Sequence, residues 1–200
     1  MKKGLFLAIL ALLGACSTAP APPVFINTPS ATNFPHSGEK GERIPIAVLP
    51  VTLPGDDHFV GVMFHTTGGR SDLMTRSSLS ESVEKSLKAA LRANGYRPYD
   101  ATTEHHALAV RMDLTEFSDK ITANLLHVRE NTVLKCNYTI IRFSGDRKTT
   151  MVKTSERYQS PTPSAIFDKK SPPRLLGTLL KDSLQKDLIP TLNHLLKQGS

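Results

Sequence analysis

The sequence predicts an α+β fold, a two-layer sandwich in which an antiparallel sheet has one face covered by two main helices. Three observations predict it. Stretches between residues 108 and 158 alternate apolar and polar side chains, as half-buried strands do. Two other stretches, near 79–94 and 174–188, repeat apolar residues at helical spacing. Ser144-Gly145-Asp146-Arg147-Lys148 between two of the strands reads as a hairpin turn. With 200 residues and 39% apolar content, the chain fits one ordinary domain plus a non-globular tail.

Taken in order, Ile44 to Leu53 is apolar on both faces and β-rich, which predicts a buried strand; Pro45 and Pro50 require pairing on one side only or an edge place. His58 to His65 repeats the theme with Val60, Val62 and Phe64 on one face. Thr66 to Asp72 then reads as a turn or loop. The clearest helix runs from about Leu79 to Asn94. Ser78 and Glu81 form a capping box, Leu79, Val83, Leu87, Ala90 and Leu91 make one stripe, and Asn94-Gly95 stops the helix.

Four strand candidates follow. Leu108, Val110, Met112 and Leu114 point one way and Arg111, Asp113 and Thr115 the other. Ile121 to Arg129 is a second strand candidate with a weaker pattern. Thr132 to Phe143 and Thr149 to Tyr158 flank the hairpin turn, and Leu134, Cys136, Tyr138 and Ile140 share a face, so Cys136 is expected in the core. After the break at Pro161 to Pro173, Arg174 to Leu188 is a Leu-rich helix, and Pro190 can open a short further helix with Leu192, Leu195 and Leu196.

The amino terminus carries an address rather than a fold. Lys2 and Lys3 precede an unbroken apolar run from Leu5 to Leu13, the layout of a signal peptide. The run is well short of the roughly 20 residues that cross a hydrocarbon core. Leu13-Gly14-Ala15-Cys16 then resembles the lipobox of bacterial lipoproteins. That resemblance implies removal of residues 1–15, acyl chains on Cys16, and a firm hold on a membrane, because two or more chains bind where one binds marginally. Ser17 follows the cysteine where an aspartate signals retention in the inner membrane of enteric bacteria, which favours the periplasmic face of the outer membrane. Residues 16–42, with Pro20, Pro22, Pro23, Pro29 and Pro35, are expected to be a lipidated extended tether, and 43–198 the single globular domain. Within the tether, Val24-Phe25-Ile26 could instead dock as an edge strand.

The order of parts resembles the YajG-like family of bacterial lipoproteins. The matching pieces are the lipobox, the Pro-rich tail, Val60-Gly61-Val62, the helix ending Ala93-Asn94-Gly95-Tyr96, the hairpin around Gly145 and the terminal Leu-rich helix. The resemblance implies an outer-membrane lipoprotein without established enzymatic activity, and it carries over one functional residue, Cys16.

Chemical motifs give little else. His105 and His106 with Glu104, and His65 or His127, suggest a metal site only superficially, since neighbours in an extended segment point apart. No metal or cofactor is expected. Asp113 and Glu116, the nearest carboxylate pair, are expected on opposite faces by their spacing of three, which disfavours glycosidase chemistry. No Gly-x-Ser-x-Gly or phosphate loop is present. The formal charge is +7, and the leader would take two of these charges with it. That balance falls short of a nucleic-acid-binding stripe. Lys135, Arg142, Arg147, Lys148, Lys153 and Arg157 gather on one hairpin as a candidate anionic-ligand surface. The expected function is a non-catalytic binding or assembly module, anchored through Cys16 and meeting an envelope protein partner. The alternatives are a cell-envelope enzyme and a direct binder of anionic cell-wall glycan.

Overall fold

The computed structural model describes residues 21–35 and 44–197. Leu13, Gly14, Ala15 and Cys16 lie outside the described residues. Eight strands form one mixed sheet. They are β1 (Val24–Ile26), β2 (Ile44–Val48), β3 (Phe59–Phe64), β4 (Arg70–Thr75), β5 (Tyr96–Asp100), β6 (Leu108–Ala123), β7 (Val128–Ser144) and β8 (Arg147–Gln159). Helix α1 (Leu79–Ala93) lies between β4 and β5, and the chain closes with α2 (Ser171–Ser183), a π-helical turn (Leu184–Leu188) and α3 (Ile189–Lys197).

The expectation of an antiparallel sheet under two helices is overturned. Hairpins do join β3 to β4, β6 to β7 and β7 to β8, but β1–β4, β2–β5, β2–β6 and β3–β6 all pair parallel. Short turns announce antiparallel neighbours, whereas parallel neighbours are joined by long paths that leave no local mark. β6 organises the whole. One of its edges carries β7 along its full length; the other carries β2 beside residues 109–110 and β3 beside residues 119–122. The chain from Ile44 to Phe64 therefore runs alongside β6, leaving it where prolines interrupt. Pro50 has no N–H to give the ladder, yet Thr52 rejoins it, its N–H donating to the Met112 carbonyl at 3.2 Å. β2 is thus shorter than the expected strand to Leu53.

β4 begins inside the loop expected from Thr66 to Asp72, and β5 occupies a stretch where the sequence pattern predicts no element. β4 buries Ser71, Leu73 and Thr75, so two of its three inward side chains are polar and no apolar alternation is visible. β5 contains Pro98, which an edge strand tolerates. The weak strand expected from Ile121 to Arg129 is instead the end of β6, a tight turn and the start of β7.

α1 matches expectation closely. Ser78 Oγ accepts from Glu81 N at 3.0 Å, and Leu79, Val83, Leu87, Ala90 and Leu91 are buried. Tyr96, just past the stop at Gly95, is 4% exposed and its hydroxyl donates to Asn193 Oδ1 at 2.6 Å. At the carboxyl end, Pro190 lacks the donor a regular helix needs; the backbone widens before it, with Ile189 N donating to Leu184 O.

Residues 21–35, inside the expected tether, sit on the domain. β1 realises the edge-strand alternative, pairing Val24, Phe25 and Ile26 with Leu73, Met74 and Thr75. Ile26, Ala31 and Phe34 join the core. Ser82 Oγ donates to the Pro29 carbonyl at 2.6 Å and Ala31 N to Ser86 Oγ at 2.9 Å. Gly177 on α2 makes room for the segment: a Cβ there would stand 2.4 Å from the Ser30 carbonyl oxygen.

Candidate interaction surface

Among the described residues, β8 is paired along one side only. Thirteen residues long, it keeps continuous register with β7 from Thr132–Gln159 to Ser144–Arg147, without a bulge to twist its free edge away. The alternation along it separates two faces. Ser155 and Arg157 turn toward the carboxyl-terminal helices, whereas Val152 and Tyr158 stand on the opposite face, each 61% exposed.

A buried polar chain clamps the helices to this strand. Tyr138 and Ser183 hydroxyls lie 2.6 Å apart, Ser183 Oγ donates to Ser155 Oγ at 2.7 Å, and Ser155 Oγ donates to Asp187 Oδ2 at 2.6 Å. Arg157 closes the chain on the same carboxylate oxygen at 2.6 Å. Cys136 is 1% exposed with its Sγ 3.6 Å from Ser183 Oγ, a core residue as expected. Burial pushes its thiol up, away from the thiolate that nucleophilic chemistry needs.

The six hairpin cations do not share one face. Arg142 donates to the Leu195 carbonyl at 3.1 Å and Arg157 to Asp187, both on the helix side. Lys135 pairs with Glu116 at 3.0 Å on the other side, and that carboxylate holds its amine above the ordinary value. Lys148 reaches Glu104 at 3.1 Å and lies over the Phe143 ring. Arg147 and Lys153 are exposed.

The other candidates are also placed. His106 Nδ1 is 3.1 Å from the Tyr99 hydroxyl, while the His105 ring packs against Phe143. His65 bonds Ser71 and His127 bonds Asn124. Among the described residues no three metal-capable side chains come together. Asp113 and Glu116 share a face, contrary to their spacing. The register shift between Leu114 and Glu116 sets Asp113 opposite Asn137 and Glu116 opposite Lys135, two residues apart on β7. Each is already engaged, Asp113 by Thr52 and Arg111 and Glu116 by Lys135 and Ser118. Clefts of about 560, 420 and 240 Å³ are lined by Tyr96 and Arg92, by Asp100 and His106, and by Glu130 and Arg174 respectively.

Asp119 and Glu130, on the adjoining strands β6 and β7, escaped sequence reasoning altogether. Asp119 is 0% exposed; Thr132 Oγ1 donates to its Oδ1 at 3.0 Å. Burial, then the hydrogen bond and charge of Glu130, push its carboxyl up to about 8. Asp119 Oδ2 and Glu130 Oε1 are buried with no hydrogen-bond partner among the described residues. A proton on Asp119 would give its carboxyl a donor.

No protein-family model and no curated protein sequence matches the chain. Among solved structures, the Helicobacter pylori putative neuraminyllactose-binding hemagglutinin homolog aligns at TM-score 0.40 with 11% identity, over 84% of this chain and 92% of its own. An uncharacterized protein aligns at 0.47 with 11% identity, over 80% and 95%. The Xanthomonas campestris protein XCC0632, of the family model DUF330, aligns at 0.53 with 11% identity over 82% of this chain and 91% of that one. The chain is therefore similar in fold to a DUF330 protein.

Proposed function

We propose that the protein is a YajG-like lipoprotein, anchored through Cys16 at the periplasmic face of the outer membrane, and that it works as a non-catalytic binding or assembly module. The observation that carries this reading is the free edge of β8. A long, bulge-free edge bearing two exposed apolar side chains is a ready template for another protein's strand or surface, and one left uncovered invites aggregation. Confinement to a membrane raises the local concentration of a partner in the same compartment, so modest affinity suffices.

The test is photo-crosslinking in intact cells from Val152 or Tyr158, with the exposed Arg97 on β5 as control position. One adduct of defined mass from the β8 positions and none from Arg97 is the expected result. Absence of any discrete adduct from both β8 positions sinks the proposal.

A further inference from the structure

The central residues of tight turns are ordinarily Gly, Asn, Asp, Pro or Ser, because these supply the backbone geometry and tolerate water. The turn between β6 and β7 places Leu125 and Leu126 there. Asn124 alone holds it: its N–H donates to the His127 carbonyl at 3.0 Å, and its Oδ1 accepts from Leu126 N at 3.0 Å and His127 N at 2.8 Å. The leucine side chains stand 89% and 84% exposed. Ile166 is 79% exposed, and these three are the most exposed large apolar residues among those described. All three lie within three residues of one bridge between their segments. The antiparallel bridge Val128–Ser164, bonded in both directions at 2.7 and 3.1 Å, fastens the Ile166 segment to the start of β7, and Ile166 shares a cleft with Val128. Arg129, Lys169, Lys170 and Arg174, on the same two segments, are exposed, and Arg174 lines the cleft that Ile166 borders. Of the acidic neighbours, Asp168 Oδ1 accepts from Lys170 N, and Glu130 Oε2 accepts from Ser171 while its Oε1 is buried.

β1 begins from this same end. Arg70, Phe64, Thr122 and Arg129 stand in one row across β4, β3, β6 and β7. β1 runs parallel to β4 with Val24 beside Leu73, so the chain before Val24 comes from the Arg70 side. From Cys16 to Ala21 five residue steps span at most ~17 Å.

We propose that Leu125, Leu126 and Ile166, with the four cations of their segments, form a tip that inserts into an anionic phospholipid bilayer and stands the long strands upright on the membrane. The inference rests on lipid at Cys16, which supplies the hold; the tip supplies orientation. So short a leash keeps this end at the bilayer surface, where apolar side chains settle at the headgroup and acyl boundary and basic ones meet anionic headgroups. The turn between β7 and β8 is then raised by the length of β7, ~50 Å for a strand of this size.

The experiment uses the mature protein, purified from membranes and reconstituted into phosphatidylethanolamine and phosphatidylglycerol vesicles. Cys136 is buried and an acylated Cys16 has no free thiol, so an introduced cysteine takes an environment-sensitive fluorophore alone. Label at Leu125→Cys should shift to the blue and be quenched about twofold or more by nitroxide-bearing lipid, as interfacial burial requires. Label at Asp146→Cys, on the far turn, should do neither. Adding Leu126→Asp and Ile166→Asp to the Leu125→Cys protein should abolish the quenching without moving its melting temperature. A water-like, unquenched label at 125, equal quenching at both positions, or shielding that needs added protein instead of lipid would overturn the tip. Mass measurement of the amino-terminal peptide separates the two ideas: an acylated peptide with an unquenched tip leaves the anchor standing, whereas an unacylated peptide removes the anchor and the tip with it.

Discussion

The two ends of the long strands are built for different surroundings. At one end Glu104 takes Arg111 at 3.0 Å and Lys148 at 3.1 Å, Arg111 also reaches Asp113, and the turn is Ser144-Gly145-Asp146-Arg147, polar throughout. At the other, Asp119 is buried beside Glu130, neither carboxyl in an ion pair among the described residues, and the turn is Leu125-Leu126. Carboxylates that meet water or a cation stay charged; carboxylates that meet each other in a dry interior keep a proton. The difference teaches that carboxyls at the polar end are held by pairing with cations, whereas the carboxyl buried at the other end is held by a proton.

The comparison can be broken at its tightest point first. Gly61 of β3 faces the backbone of Asp119, and a Cβ there would stand 1.8 Å from the Asp119 carbonyl oxygen. Gly61→Ala must part β3 from β6 at the apolar end and should cost several kcal/mol, of the order of 3 or more. Chemical denaturation measures it, and a loss below 1 kcal/mol, the ordinary surface scale, would mean that the two strands are not so close.

Next in size is a dependence on pH. The Asp119 carboxyl titrates at about 8 when folded against an ordinary 3.8, so the folded state binds the extra proton between those values. Its contribution to stability is complete below about 3.8 and is lost as pH rises through about 8. The steepest slope is ~1.4 kcal/mol per pH unit. Wild type should melt higher at pH 5 than at pH 8 by a margin that Asp119→Asn largely removes. Equal slopes in the two proteins would mean that the pair is ionised in the fold.

The smallest effect belongs to the polar end. Lys148 and Glu104 are about half and one-third exposed, so Lys148→Ala should cost less than ~1 kcal/mol and the difference should fade with added salt. A larger, salt-insensitive loss would show that both ends depend on buried electrostatics.

Legibility in the sequence followed how locally each element is determined. α1 could be read to the residue because Ser78, the Leu79-to-Leu91 stripe and Gly95 all lie within one short window. The strand faces around Cys136 were legible for the same reason. β4 was not, since Ser71 and Thr75 fill inward positions, and neither was the turn at 124–127, where Leu125 and Leu126 extend the apolar run that a turn should break. The bulge at Thr115 reversed the assignment of Asp113 and Glu116, because one extra residue exchanges the faces of everything after it. Asp119 and Glu130 were invisible as a pair: the register of β6 on β7 joins them, and no spacing of eleven residues announces it. The parallel pairings, and with them the mixed sheet, depend on contacts between distant segments that local pattern cannot carry.

The seat of residues 21–35 also sets an order of events. β1 needs β4, Ala31 needs Ser86, and Asn33 accepts from Lys181, 148 residues further along. The room made by Gly177 does not exist until α2 is in place. Loops that long are slow to close. The stretch of the domain that is synthesised first is thus among the last to settle, and for that interval the exposed edge of β4 waits without a neighbour.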